Sequence, residues 1–403
     1  MSSQVQQSIT ETIKHLDKEL RDISLKIHDD PELGNQEFHA HELLTDYLEK
    51  KGFKVTRNAA GLSTAFIAEF SNSKSGRRVG FCCEYDALPG IGHGCGHNLI
   101  SIQGLACAIS IKTLMEQDLV KGSVVLFGTP AEETTSGKLN FVKEGVVQDK
   151  VDFAMMLHPF AKDGLYPNML ALDSLDVEFF GKASHAGMAP WEGINALDAL
   201  MQAFDNIGML RQQTLPTNRQ VYHVHEVVLC GDAANVIPAY ASAKFYARSL
   251  TKNQLAELKP KVENCFKAAA LATGCQIKLS WGPLGPIDDV FMNDTLTAVY
   301  KTYMEDEGVS YLPRTEEEKI TSGSTDMGNF SYVVPSIHPA FGICTDASNH
   351  SKEFAAAART EIAHKRTLTA AKCLSFTAAD VLLKDELYDQ VVKDFKKGKA
   401  QPH

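Results

Sequence analysis

Gly92-His-Gly-Cys-Gly-His-Asn98 places a thiol and an imidazole two residues apart among glycines. A Cys thiolate and a His ring nitrogen at that spacing can hold one metal ion, and glycine lets the backbone wrap closely around it. The plainer reading of the same run is a glycine-rich turn around an inert Cys. Glu132-Glu133 follow Thr129-Pro-Ala. One such carboxylate can ligate a cation while its neighbour takes a proton from an activated water; adjacent glutamates also serve simply as dipole partners at helix starts. His158 precedes Pro159, and His350 lies in the polar run Ser348-Asn-His-Ser351. Singly, each could be an ordinary hydrogen-bonded or solvated His. His185, in Lys182-Ala-Ser-His-Ala-Gly187, and Asn235, in Gly231-Asp-Ala-Ala-Asn-Val-Ile-Pro238, have no metal-ligand partner at suitable spacing. They would suit hydrogen bonds to a carbonyl oxygen that gains charge, or be two plain turns.

The elements that must position these groups follow from periodicity. Ile9, Ile13, Leu16, Leu20, Ile23 and Ile27 predict an amphipathic helix over Ser8–Ile27, and a second helix spans about Ala40–Lys50. Strand-like runs at Thr64–Phe70, Val79–Cys83, Val124–Phe127 and Phe153–Leu157 lead into Asp86, Glu132/Glu133 and His158. Leu99–Met115 is an apolar helix too rich in Leu, Ile and Ala for a surface. Strands alternating with buried helices predict an α/β sheet covered on both faces, with ligands beyond the carboxyl ends of its strands. From Ser174 the pattern becomes β-α-β-β-α-β: strand Leu175–Phe180, helix Gly193–Leu210, strands Gln220–Leu229 and Tyr240–Leu250, helix Gln254–Ala270, strand Gln276–Trp281. That is a ferredoxin-like α+β unit. A strand within Val333–Ile343 and a closing helix over Glu361–Leu382 restore the α/β character. The expected domains are a catalytic part over 1–172, an inserted lid over 173–287 and the rest of the catalytic part over 288–403. His15, His39, His41, His364 and His403 read as solvated, His223 and His225 as one face of a lid strand, structural or near an interface, and His338 within a strand run as packing or as support behind a site residue.

Composition narrows the classes. The 403 residues carry a net charge of −10, with 44% hydrophobic and 22% charged residues, so a folded core is expected and gross disorder is not. The acidic balance opposes a nucleic acid or an anionic membrane as main partner. No run of about 18 apolar residues predicts a membrane span. Met1–Gln7 has no secretory pattern, and the end of the chain matches no lipidation or peroxisomal signal. Nine dispersed cysteines, two of them adjacent at Cys82-Cys83, read as reduced thiols in a cytoplasmic protein.

Cys95-Gly-His97, Pro130-Ala-Glu-Glu133, Leu157-His158, Ser184-His-Ala186, Asn235-Val-Ile-Pro238 and Gly323-Ser-Thr-Asp326 occur in the order and approximate spacing of the M20 metallopeptidase/amidohydrolase family, which the chain resembles over nearly its whole length. The subgroup with Cys and His in its metal loop is most similar, and within it the branch of aminobenzoyl-glutamate hydrolase-like dipeptidases, some acting on basic C-terminal residues. Many subgroup members carry Asp-Gly/Ala-His after Cys-Gly-His. Here Asn98-Leu-Ile stands instead, which turns the expectation away from auxin-conjugate or hippurate substrates.

The resemblance implies a zinc-peptidase-like catalytic domain interrupted by a ferredoxin-like lid and dimerisation domain. It implies two divalent ions per subunit, zinc or manganese with cobalt an alternative, held by Cys95, His97, Glu133, His158 and His350. Glu132 would be the general base, and Asp86 would support a ligand from behind. His185 would reach the partner subunit's site in a homodimer formed through the lid, together with Asn235. Gly323, Ser324 and Thr325 would line the pocket for the substrate's carboxylate. Arg248 is a second candidate for that carboxylate, or else a solvated edge-strand charge. The implied activity is hydrolysis of an amide bond to an amino acid, as a dipeptidase. The alternatives are an N-acyl-amino-acid or aminobenzoyl-glutamate amidohydrolase, and a catalytically silent regulator on the same fold, which should lack Glu132 or a ligand.

Overall fold

The computed structural model describes residues 1–214, 223–231, 233–320 and 323–399, with the backbone alone for 223–230. The chain divides into two compact units: Met1–Asn168 together with the chain from Val290 on, and Met169–Asp289.

The first unit opens with α1 (Ser3–Asp29) and α2 (Phe38–Lys50), followed by β1 (Lys54–Arg57), β2 (Phe66–Ser71) and β3 (Arg77–Cys83). Then come α3 (His97–Glu116), β4 (Gly122–Gly128), the short helices α4 (Lys138–Lys143) and α5 (Val146–Lys150), β5 (Phe153–Met155) and β6 (His158–Phe160). The second unit holds β7 (Ala171–Phe180), α6 (Ala196–Leu210), β8 (His223–Cys230), β9 (Tyr240–Ser249), α7 (Lys252–Thr273) and β10 (Gln276–Trp281). Back in the first unit are α8 (Asp294–Asp306), α9 (Arg314–Glu317), α10 (Met327–Val333), β11 (Ser336–Ile337), β12 (Ala340–Gly342), α11 (Lys352–Ala358), α12 (Glu361–Leu383) and α13 (Asp385–Lys399).

The main sheet of the first unit runs β1-β2-β4-β3-β5-β11. β4, β3, β5 and β11 are mutually parallel, and β1 and β2 add an antiparallel edge. Side chains alternate across a strand, and here the alternation feeds two cores. Phe66, Phe81, Leu126 and Met155 join α1, α3 and α12 on one side. Ile67, Cys82, Phe127 and Ala154 join Phe141 and Phe330 on the other. The covered α/β sheet expected from the strand runs is therefore what forms. The apolar helix α3 has a mean hydropathy of 1.3, and 94% of that stretch is buried inside the protein, so its apolar character serves the core. It is the one described helix long and apolar enough to cross a membrane.

The second unit is a four-stranded antiparallel sheet in the order β10-β7-β9-β8. In the unit's own strand numbering that is 4-1-3-2, the ferredoxin-like arrangement. Ala241, Ala243, Phe245 and Ala247 of β9 point inward against α6 and α7. Asn195 begins α6 by accepting from the backbone N–H groups of Leu197 and Asp198, which satisfies donors the first turn leaves free. The ends of the unit meet in an antiparallel bridge, Leu172 N–H to Ile287 O at 2.9 Å and the reverse at 2.8 Å.

Two readings of single histidines are corrected. His41 and His364 are buried, not solvated. The Nε2 of His364 lies 2.7 Å from Asp17 Oδ1, so a charged neighbour on α1 makes its burial tolerable. His223 and His225 have side chains outside the description, and His403 lies outside the described residues.

Candidate active site

Parallel strands deliver the chemistry at their carboxyl ends. β3 runs into Glu84 and Asp86, β4 into Glu132 and Glu133, β5 into His158, and α3 begins at His97. Gly96 caps α3 in the left-handed region at φ 77°, and a Cβ there would stand 2.6 Å from Pro159 Cγ. Only glycine lets the Cys95–His97 turn come this close to the strand carrying His158. Two non-glycine residues beside the site also have positive φ, Ala131 at 59° and His350 at 65°. Such conformations cost on the order of 1–3 kcal/mol each and persist when surroundings impose them. Glu37 Oε1 accepts from Ala131 N–H at 2.8 Å, and His350 N–H donates to Gly94 O at 2.8 Å.

The donors of Cys95, His97 and His158 form one group, those of Cys95, Glu133 and His350 a second, and those of His97, Glu132 and Glu133 a third, each within 4.8 Å. Cys95 Sγ is 3.4 Å from His158 Nε2, and His350 Nε2 is 3.1 Å from Glu133 Oε1. His97 Nδ1–H donates to Asp86 Oδ1 at 2.9 Å, which turns Nε2 inward. His158 is oriented likewise, Nδ1–H donating to Pro159 O at 2.9 Å. Asp86 Oδ2 accepts from Glu133 N–H at 3.0 Å, tying two arms of the site together. The arrangement fits divalent cations. His97 Nε2 is buried without a well-formed hydrogen bond among the described residues, and thiolate, imidazole and carboxylate are the donors such ions take.

Charge is distributed unevenly. Burial and then the charge of Glu133 raise the Cys95 thiol well above its usual range. Burial opposes protonation of His97, but the charges of Asp86 and Glu84 outweigh it, and its pKa lies well above the ordinary value. Burial, then His338 and His97, push His158 far down, so it stays neutral. Burial and its neighbour Glu133 raise Glu132, whereas His350 and His97 overcome burial and lower Glu133. Two adjacent carboxyls are thus pushed apart into a proton carrier and an anion.

The remaining expected residues stand as follows. Thr325 is buried, and its hydroxyl accepts from Met327 N–H at 3.3 Å at the start of α10. Ser324 Oγ is buried without a hydrogen-bond partner among the described residues, and none of those residues, chain neighbours aside, comes within 4 Å of where a Cβ on Gly323 would stand. In the second unit His185 and Asn235 are brought side by side, with Ala186 N–H donating to Asn235 O at 2.9 Å and His185 bridging to Val236. His185 Nδ1 accepts from the N–H groups of Gly187 at 3.2 Å and Met188 at 3.1 Å, so Nε2 carries the proton on an exposed ring. Arg248 is half-buried over the Tyr246 ring at 5.8 Å, and burial lowers its pKa.

Sequence reasoning did not single out Glu37, Glu84, Lys138, Asp326 or Asn349. Asn349 Nδ2 donates to Pro159 O at 3.1 Å, beside the imidazole next to it in sequence, His350. The available signals were Asp326 inside a quoted motif and Glu84 two residues before Asp86.

Residues 172–273 match the peptidase dimerisation domain (M20 dimer) family. The human Xaa-Arg dipeptidase is 38% identical, the match covering 96% of this chain and 91% of that protein. One of the polypeptides of the p-aminobenzoyl-glutamate hydrolase of Escherichia coli is 28% identical, the match covering 92% of this chain and 90% of that one. In fold, a dinuclear metal-binding peptidase of the M20 family from Bacillus subtilis superposes with a TM-score of 0.69 at 19% identity, covering 92% of this chain and 99% of that one. With its α/β unit, its ferredoxin-like insert and 38% identity to a dipeptidase over 96% of its length, this chain belongs to the M20 peptidase family and is an enzyme that hydrolyses amide bonds.

Proposed function

We propose that the chain is a dipeptidase holding two divalent ions, which removes a C-terminal amino acid by water attack on the amide carbonyl. The observation that carries this reading is the convergence of Cys95, His97, Glu133, His158 and His350 donors beside Glu132, whose proton affinity burial and Glu133 raise, as suits a group that must take up a proton. Ions bound there supply an acidified water and polarise the scissile carbonyl. Asp86 and Pro159 O fix the two ligand imidazoles in the tautomer that leaves Nε2 free. Glu132 takes the proton from the attacking water and returns it to the leaving amine nitrogen. His185 offers Nε2–H to the carbonyl oxygen as it gains charge, acting across a homodimer formed through the second unit. Asn235, Arg248 and Gly323–Thr325 serve substrate binding. Zinc, manganese or cobalt would each suit the donors. A thiolate ligand needs a reduced Cys95, which accords with a cytoplasmic setting.

For the substrate we favour a dipeptide with a basic C-terminal residue, on the strength of the 38% identity to Xaa-Arg dipeptidases. The E. coli relative supports a second reading, an N-acyl- or aminobenzoyl-amino acid with an acidic end. A panel of β-alanyl-lysine, Xaa-Arg, N-acetyl-amino acids and aminobenzoyl-glutamate, run with zinc, manganese and cobalt titrations, separates them. The dipeptides with basic ends should be turned over fastest. Turnover confined to acylated amino acids would sink the dipeptidase assignment, and no turnover with any ion would sink the enzyme mechanism.

A further inference from the structure

Glu84 and Asp86 follow the end of β3 at Cys83, and between them His97 is met at both ring nitrogens. Asp86 Oδ1 is 2.9 Å from Nδ1, and Glu84 Oε2 is 3.4 Å from Nε2, all three side chains being fully buried. The other oxygen of Glu84, Oε1, accepts from Lys138 Nζ. Lys138 Nζ also donates to Asp326 Oδ1 at 2.7 Å, and its backbone N–H donates to Asp326 Oδ2 at 2.9 Å. Asp326 therefore already secures this lysine twice. Stability alone does not account for three ionisable side chains at zero exposure, since apolar replacements of buried ion pairs are often neutral or stabilising. What distinguishes Glu84 is Oε2, which makes no well-formed hydrogen bond among the described residues and is ion-paired at 3.4 Å with the nitrogen that His97 turns to the cation site. Two donors each about 2.1 Å from one ion lie roughly 3–3.5 Å apart. The Glu84–His97 gap of 3.4 Å matches, as do Cys95–His158 at 3.4 Å and Glu133–His350 at 3.1 Å.

We propose that Glu84 is a further metal ligand, its Oε2 sharing an ion with His97 Nε2, and that Lys138, anchored on Asp326, is the residue that positions it. The proposal rests on the metal-hydrolase reading and adds a sixth donor residue to that set. An additional anionic oxygen raises the coordination number and favours manganese or cobalt over zinc at that ion.

The test is a cobalt titration of metal-free wild type, Glu84→Gln and Lys138→Met, followed by visible absorption and calorimetry, with thermal melts to confirm folding. Gln keeps the side-chain shape and an acceptor for Lys138 but removes the charge. Wild type should take two ions. Glu84→Gln should weaken one of them by about 10- to 100-fold and change its d–d absorption, with Lys138→Met loosening the same ion. A folded Glu84→Gln protein with two ions, wild-type affinities and an unchanged spectrum would overturn the ligand assignment and leave the hydrolase reading standing. Unaltered cobalt binding by Lys138→Met would overturn the positioning role. A wild type that binds no ion would overturn both. Should the variants fail to fold, a crystal structure of the zinc- or manganese-loaded wild type decides: Glu84 Oε2 within about 2.6 Å of an ion supports the proposal, and any longer distance overturns it.

Discussion

As the proposed ligands, His97 and Cys95 would each give up a proton to a cation. The thiol is raised by burial and by Glu133, and the imidazole is raised because Asp86 and Glu84 outweigh its burial. Binding requires a thiolate and a neutral Nε2, so near pH 7 loading should release about two protons per chain, and affinity should rise with pH. Calorimetry in buffers of different ionisation enthalpy counts them. A count near zero would contradict the protonation assigned to both residues. At this scale the sequence was informative where donors sit close together or inside a motif: Cys95 and His97, Glu132 and Glu133. It was silent on Glu84, Lys138 and Asp326, because Lys138 meets partners 54 and 188 residues away and no local spacing records that. His41 and His364 misled for a related reason. A histidine on an amphipathic helix looks solvated until its partner, for His364 an Asp on another helix, is known.

The elements hold the donors through a few close approaches. At Gly96 the chain must turn left-handed and also clear Pro159, the residue following His158. Gly96→Ala meets both obstacles, so it should lose about 1–3 kcal/mol of stability. It should also weaken metal binding by widening the gap between Cys95 and His158, now 3.4 Å. Denaturant unfolding and a cobalt titration read the two effects, and a variant as stable and as tight as wild type would refute the close approach. The longer elements were legible because burial imposes a period on them: α1, α3 and β10 emerge near their expected bounds. β11 and β12, of two and three residues, sit inside one apolar run where the sequence suggested a single strand. Two short strands and one longer one share the same apolar letters, and only the separate partners β5 and β6 distinguish them.

At the scale of the whole molecule, the proposed cross-subunit role of His185 makes a quantitative claim. His185→Ala and Glu132→Gln should each lower turnover by about 10²- to 10⁴-fold while retaining metal. Mixed and allowed to exchange subunits, they should regain about a quarter of wild-type activity, since half the dimers then contain one intact site. No recovery, with exchange verified by mass spectrometry, would rule out catalysis in trans. The β-α-β-β-α-β order of the insert was readable from the alternation of β7 and β9. The bridge between Leu172 and Ile287 was not, because it pairs residues at the two extremities of that insert. That bridge has a topological outcome. Antiparallel partners stand only about 5 Å apart, so the polypeptide departs from the catalytic unit and returns to it through one narrow doorway. For the catalytic unit, the whole excursion is equivalent to a hairpin loop. Such a module can grow, shrink or diverge without rethreading its host, and its closure entropy changes only with the logarithm of its length.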